Sequence, residues 1–391
     1  MYYTHDQLPD YFQLDELLSE EHILIRNSVR EWVSAYILPK IDAAAQNHTD
    51  IPNLMTELGN IGALGPYIPE KYGGAGLDQI SYGLIMQELE RGDSAIRSAA
   101  SVQSSLVMFP IFEYGSEIQK TKYLPQLASG EMVGCFGLTE PNHGSNPNGM
   151  ETTLVDKGTH YVLNGAKMWI TNSPIADIAV VWAKNEQGKI KGLIVERGMK
   201  GFSTPEMHNK WSLRASKTGE LVFENVEIPK ENIFPEIEGL KGPLSCLNSA
   251  RYGISWGVIG AAMDCYSTAL KYAMERNQFG KPIASFQLQQ KKLAEALTEI
   301  TKAQLLSWRL GVLKNAHKAS PSQISMAKRN NVQMAITIAR ELRQVLGAMG
   351  IMGEFPMMRH AANLESVITY EGTHDIHLLI TGMDITGINA F

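Results

Sequence analysis

Near its C-terminus the chain reads YEGTHDIH, residues 370–377, so that Glu371 is followed closely by His374, Asp375 and His377. The pattern admits more than one chemistry. Histidines three apart could grip a metal, but H-x-x-H without the glutamate of H-E-x-x-H is a weak zinc signal. Thr373 could simply cap a helix whose first turn is polar. Glu371 could instead be a general base. An ordinary glutamate, with a pKa of about 4.3, is a weak base; a desolvated one in a dry pocket is stronger. A second candidate group lies in QELERGDSAIRSAASVQSS, residues 87–105. Arg97 could hold a carboxylate in a two-pronged contact, and Glu90 sits two helical turns before it. Read blandly, Arg97 is a helix surface charge.

These groups need elements to position them. From Asp15 to about Ala128 apolar residues recur at three- and four-residue spacing, the mark of helices. Ser19 is placed to cap the first, and Gly130 to close the last. A Gly-rich loop, IPEKYGGAGLD, interrupts them. From about 131 to 240 the character changes to β-rich segments such as HYVLNGAKMWITNS and TGELVFENVEIP, broken by turn signals. Long helical patterns resume from about Lys241. The helix–β–helix order predicts an α+β fold in units 1–130, 131–240 and 241–391.

Bulk properties narrow the function. A chain of 391 residues with 44% hydrophobic and 19% charged residues reads as a globular enzyme of more than one packed unit. A net charge of −6 argues against nucleic-acid binding, which favours a basic face. Cys135, Cys246 and Cys265 lie in apolar surroundings without a C-x-x-C pair and read as reduced core residues. The acidic start, MYYTHDQLPD, lacks the marks of a secretion signal or transit peptide. No apolar run reaches the length of a membrane span. The expectation is a cytoplasmic protein, or an organellar matrix protein whose leader was removed.

The stretches SVQSSLVM, GCFGLTEPNHGSNP, WITNSPIAD, SLRASKTGEL, ARYGISWGV, RNQFGKPIASFQLQQKKLA, YEGTHDIH and ITGINAF occur in order along nearly the whole chain. In this series the sequence resembles the acyl-CoA dehydrogenase family, and within it the glutaryl-specific members. The resemblance implies an N-terminal helical domain, a middle β-domain and a C-terminal four-helix bundle, with FAD as cofactor and a homotetramer as the assembly. It implies that the flavin ring lies against Phe136, Leu138, Thr139, Gly144 and Ser145 and against Trp169, Ile170 and Thr171. Thr373, His374 and Asp375 would line the same cofactor, leaving no metal site. Arg276, Gln287 and the stretch from Gln344 through Gly347 to Ala348 would reach the FAD of a neighbouring subunit, and Phe279 would also contact the cofactor. The family pattern is broken at His143 and Asn146, and again at Ala348 and Met349.

The resemblance also implies the reaction. Glu371 would take the C2 proton of an acyl-CoA, and its backbone N–H would help hold the thioester oxygen. Arg97 and Ser98 would meet the far carboxylate of glutaryl-CoA, with Glu90 and Tyr370 tuning its loss as CO2. Ser145, Arg251, Gly372 and Phe391 would touch the CoA thioester, Arg251 toward the phosphopantetheine or nucleotide end. Electrons would pass to an electron-transferring flavoprotein. Rival expectations are a dehydrogenase that stops before decarboxylation or takes another short acyl-CoA, and a non-catalytic binding protein of the same fold.

Overall fold

The computed structural model describes residues 8–235 and 237–391. The first seven residues of the acidic N-terminus therefore lie outside the described residues. The N-terminal helices are α1 (Glu20–Trp32), α2 (Leu38–Asn47), α3 (Leu54–Asn60), α4 (Gln79–Gly92), α5 (Ser94–Ser101), α6 (Phe109–Tyr114) and α7 (Glu117–Ser129). Ser19 caps α1 by accepting from the His22 N–H, and Gly130 ends α7 at a φ of 74°. Helices α5 and α6 form one rod, joined through a wide π turn at Val102–Met108. Every residue of α5 and of that turn is buried, as expected for a run carrying so few charges.

Strands follow: β1 (Gly134–Gly137), β2 (Thr153–Asp156), β3 (His160–Thr171), β4 (Ile178–Asn185), β5 (Ile190–Glu196), β6 (Phe202–Ser203) and β7 (Thr218–Pro229). They form one sheet in the order β1-β4-β2-β3-β7-β6, with β5 on the other edge of β4. β3 and β7 pair antiparallel, and their register slips between Lys167 and Ile170. At that bulge Trp169 adopts a φ of 64°, so its ring turns outward from a sheet that otherwise buries its apolar side chains.

The last unit opens with α8 (Lys241–Glu275), followed by a two-stranded hairpin, β8 (Asn277–Gln278) and β9 (Lys281–Pro282). Then come α9 (Gln287–Asn315), α10 (Pro321–Val345), α11 (Met357–Thr369) and α12 (His374–Thr386). Helices α8 to α11 enclose an apolar core that includes Ile254, Val258, Ile300, Ala335 and Leu364. Helix α4 packs along α8, with Tyr82 and Trp256 in a shared core. The sequence-predicted α+β architecture is the observed one. Cys135, Cys246 and Cys265 are all buried free thiols.

Candidate active site

Arg97 is fully buried on α5, although it carries a charge that water would solvate well. Its partners explain how. Nε donates to Glu90 Oε2 at 2.6 Å, and Nη2 donates to the Tyr370 hydroxyl. Glu90 accepts a second bond, from Ser94 Oγ at 2.7 Å. Nη1 is buried and has no hydrogen-bond partner. A lone buried guanidinium donor is costly, so this one is suited to a group that arrives with the substrate. Nearby charges, Glu90 foremost, outweigh the desolvation and keep Arg97 ionised. Ser98 is buried beside it on the same helix.

The frame around this pair is built from three helices. Asp93 caps α5 by accepting from the Ala95 N–H at 2.7 Å, and it also accepts from Arg359 and Asn363 of α11. The start of the Arg97 helix is thus tied to the helix that leads into Tyr370 and Glu371. From α8, Gly257 faces the pair: a Cβ there would stand 2.2 Å from Glu90 Oε2. Only glycine leaves room for the carboxylate at that crossing.

Glu371 lies in the link between α11 and α12, in a left-handed conformation with φ 52°. Gly372 follows at 92°, where a Cβ would meet the His377 and Arg251 side chains. A left-handed pair of this kind is open to glycine and strained for glutamate. Glu371 Oε2 is buried without a partner. Burial raises its pKa above the ordinary 4.5, against the opposing pull of Arg97, Lys328 and Arg251. Thr373 caps α12, accepting from the Ile376 N–H at 3.2 Å. Burial and the nearby cations hold the His377 imidazole down to about 2, so it is neutral. His374 is likewise lowered by burial.

A second candidate surface is formed by the loop after β1 and the bulge of β3. They are joined by Met168 N–H to the Thr139 carbonyl at 2.9 Å. Beneath them Lys167, fully buried, donates to Glu140 Oε1 at 2.8 Å and to the Leu138 carbonyl at 3.2 Å. Glu140 also accepts from the Glu151 and Thr152 N–H groups, and these bonds with Lys167 hold its carboxyl down to about 2 despite burial. Above this support Trp169 is 61% exposed, and Phe136, Leu138 and Ile170 are buried. Thr139 and Thr171 are half-buried, while Gly144 and Ser145 are exposed. An outward indole beside hydroxyls and an apolar floor fits a flat heteroaromatic ring with a polar edge.

Lys167→Met leaves Glu140 buried without its cation and is expected to cost about 3–5 kcal/mol of stability. Urea unfolding at neutral pH measures it. The sign of the pH dependence follows from the lowered carboxyl: its contribution is full above pH 4.5 and is lost as pH falls toward 2. The gap between wild type and variant should close over that range.

Several other expected site residues are exposed. Arg276, Phe279, Gln287, Gln344 and Gly347 are all exposed, Phe279 at 91%. Along α8, Arg276 stands roughly 37 Å from Arg251 at about 1.5 Å per residue. Gln344 accepts from Lys292 at 3.1 Å. Phe391 is 66% exposed. Arg251 is the residue expected toward the phosphopantetheine or nucleotide end of the CoA. It is buried, with Nε donating to the Glu371 carbonyl at 2.8 Å and Nη1 to Asn248 at 3.2 Å. The unusual His143 lies 3.2 Å from Glu151 and packs over Gly149. Glu140, His143 and Glu151 place ligand-type atoms within 4.8 Å of one another, but Glu140 is already engaged by Lys167 and two backbone donors. The residues that sequence reading missed are Gly257, Lys167, Glu140 and Lys328.

Models of the acyl-CoA dehydrogenase N-terminal, middle and C-terminal domains match residues 19–131, 135–226 and 238–386. The chain belongs to the acyl-CoA dehydrogenase family, enzymes that act on CH–CH bonds. It is 34% identical to a glutaryl-CoA dehydrogenase of Desulfococcus multivorans over 96% of this chain and 99% of that protein. It is also 34% identical to the human mitochondrial short-chain specific acyl-CoA dehydrogenase, over 96% of this chain and 92% of that one. Among solved structures it resembles a glutaryl-CoA dehydrogenase of Mycobacterium smegmatis in complex with FADH2. That likeness has a TM-score of 0.96 and 48% identity, and covers 97% of this chain and 98% of the other. Among the described residues no helix is long and apolar enough to cross a membrane.

Proposed function

We propose that this chain oxidises and decarboxylates glutaryl-CoA to crotonyl-CoA and CO2, using FAD. The observation that carries the reading is Arg97: fully buried, fixed by Glu90 and Tyr370, with Nη1 left for a carboxylate. A purely fatty acyl tail has nothing to offer that donor. The chain's similarity to a glutaryl-CoA dehydrogenase of known structure supports the same choice.

Glu371 Oε2 is the unpaired buried acceptor, poised to take the C2 proton. Its backbone N–H is the donor for the thioester oxygen as negative charge develops there. When bound, FAD supplies the acceptor for the hydride leaving C3, held by Thr139, Trp169, Thr171 and the residues of the β1 loop. The product, glutaconyl-CoA, carries its distal carboxylate allylic to the conjugated thioester. As the C–C bond to CO2 breaks, its electron pair enters a dienolate delocalised into the thioester. Protonated Glu371 then returns its proton at C4. Arg97 holds the carboxylate until it leaves, and Ser98, Glu90 and Tyr370 fix that guanidinium and the space around it. Gly372 and Ser145 border the thioester.

In this reading Arg276, Phe279, Gln287, Gln344 and Gly347 serve the cofactor of another subunit of a homotetramer, since all five are exposed and Arg276, just past α8, stands roughly 37 Å from Arg251 at about 1.5 Å per residue. An electron-transferring flavoprotein takes the electrons onward. The test is to mix the FAD-loaded protein with glutaryl-CoA and an artificial electron acceptor, then identify the thioester by mass. Crotonyl-CoA is the expected product. Glutaconyl-CoA alone removes the second step, and turnover only with butyryl-CoA removes the glutaryl assignment.

A further inference from the structure

Lys328 is fully buried on α10, and no step above uses it. Its Nζ donates to the carbonyls of Val367, Tyr370 and Gly372 at 2.8, 3.0 and 2.9 Å. Val367 lies in the last turn of α11, where carbonyls lack intrahelical partners. The carbonyl between the other two, that of Glu371, is taken by Arg251 from α8. Carbonyls 370, 371 and 372 are therefore held alternately from two helices, across the segment where Glu371 and Gly372 adopt left-handed φ values. A strained conformation persists only where its surroundings over-determine it.

We propose that Lys328 is a positioning residue for the base, fixing through main-chain carbonyls where the Glu371 carboxylate stands. The proposal rests on the reading of Glu371 as base. Burial pushes the Lys328 ammonium down to about 7, against the pull of Glu371. The three carbonyl oxygens satisfy the ammonium donors that burial strips of water. Lys328 also acts through space, lowering the Glu371 pKa alongside Arg97 from α5 and Arg251 from α8, while Glu90 from α4 acts in the opposite sense. His377 and His374 from α12 face the same cations and stay neutral.

The test is a double-mutant cycle in the FAD-loaded protein, with Lys328→Met made alone and with Glu371→Gln. In the wild-type background Lys328→Met is expected to lower kcat by about 10–100-fold, the scale of a misplaced reacting group. KM should change little, and the acid limb of kcat/KM should move to higher pH. On top of Glu371→Gln it should cost nothing further. The same fold loss in both backgrounds, or an unmoved acid limb, overturns the proposal. Should Lys328→Met fail to fold, Lys328→Arg gives the readout. A folded Arg variant that keeps the wild-type acid limb supports the role, and one whose limb moves overturns it. Near wild-type turnover by Glu371→Gln alone would instead overturn the base assignment, which separates the two failures.

Discussion

Glu371→Gln is expected to lower kcat for acyl-CoA oxidation by about 10³-fold or more, at the upper end for a single general base. KM should hardly move. Glutamine keeps the size, the backbone N–H and the Arg251 and Lys328 contacts to the main chain, and removes only the proton acceptor. The wild-type pH profile gives the companion result. The base works ionised, and burial raises its pKa above 4.5, so kcat/KM should fall on the acid side at a pH above that value. Stability runs the other way. A carboxyl with a raised folded pKa binds more protons folded than unfolded, so its burial costs stability as pH rises past 4.5. Glu371→Gln should therefore melt no lower than wild type at neutral pH, trading function for stability. A variant both inactive and clearly destabilised would point to a structural role.

Arg97→Gln is expected to reduce kcat/KM for glutaryl-CoA about 10²–10³-fold relative to butyryl-CoA, since it removes the charged partner of a desolvated carboxylate. The comparison between substrates matters more than either rate. Glu90 loses its partner too, so part of any common loss is destabilisation of the fold. Glu90→Gln combined with Arg97→Gln removes the orphaned charge and should recover stability without recovering the preference. Gly257→Ala approaches the pair from α8, where its Cβ would stand 2.2 Å from Glu90 Oε2. It should erode the same preference while leaving every charge in place. Equal losses with both thioesters would remove Arg97 from the specificity role.

Much of this was legible in the sequence because local rules and tertiary outcome agree. Ser19, Gly130 and Thr373 cap where their types and neighbours predict. The switch from helical to alternating pattern marks where the sheet begins, because the periods differ. The motifs single out Glu371 and Arg97, and the resemblance groups Arg97 with Glu90 and Tyr370. The residue pattern alone does not show that grouping, since residues 97 and 370 are brought together by α5 packing near α11. Gly257 looked like one small residue among many in α8, and its reason lies on α4. Lys328 left a fainter trace. It falls on the stripe of α10 that includes Ile324, Asn331, Ala335 and Leu342, all buried. A lysine on such a face requires partners, but a sequence cannot reveal that they are the carbonyls of a distant loop.

Every hydrogen bond to the 370–372 segment from Lys328 and Arg251 falls on main-chain oxygen. The Tyr370 hydroxyl reaches Arg97 instead, and its ring lies 6.0 Å from Lys328 Nζ. One residue thus serves two masters. Under the proposed function, a substitution at 370 would change how the Arg97 guanidinium is held, while the main-chain oxygens that Lys328 and Arg251 grip would remain.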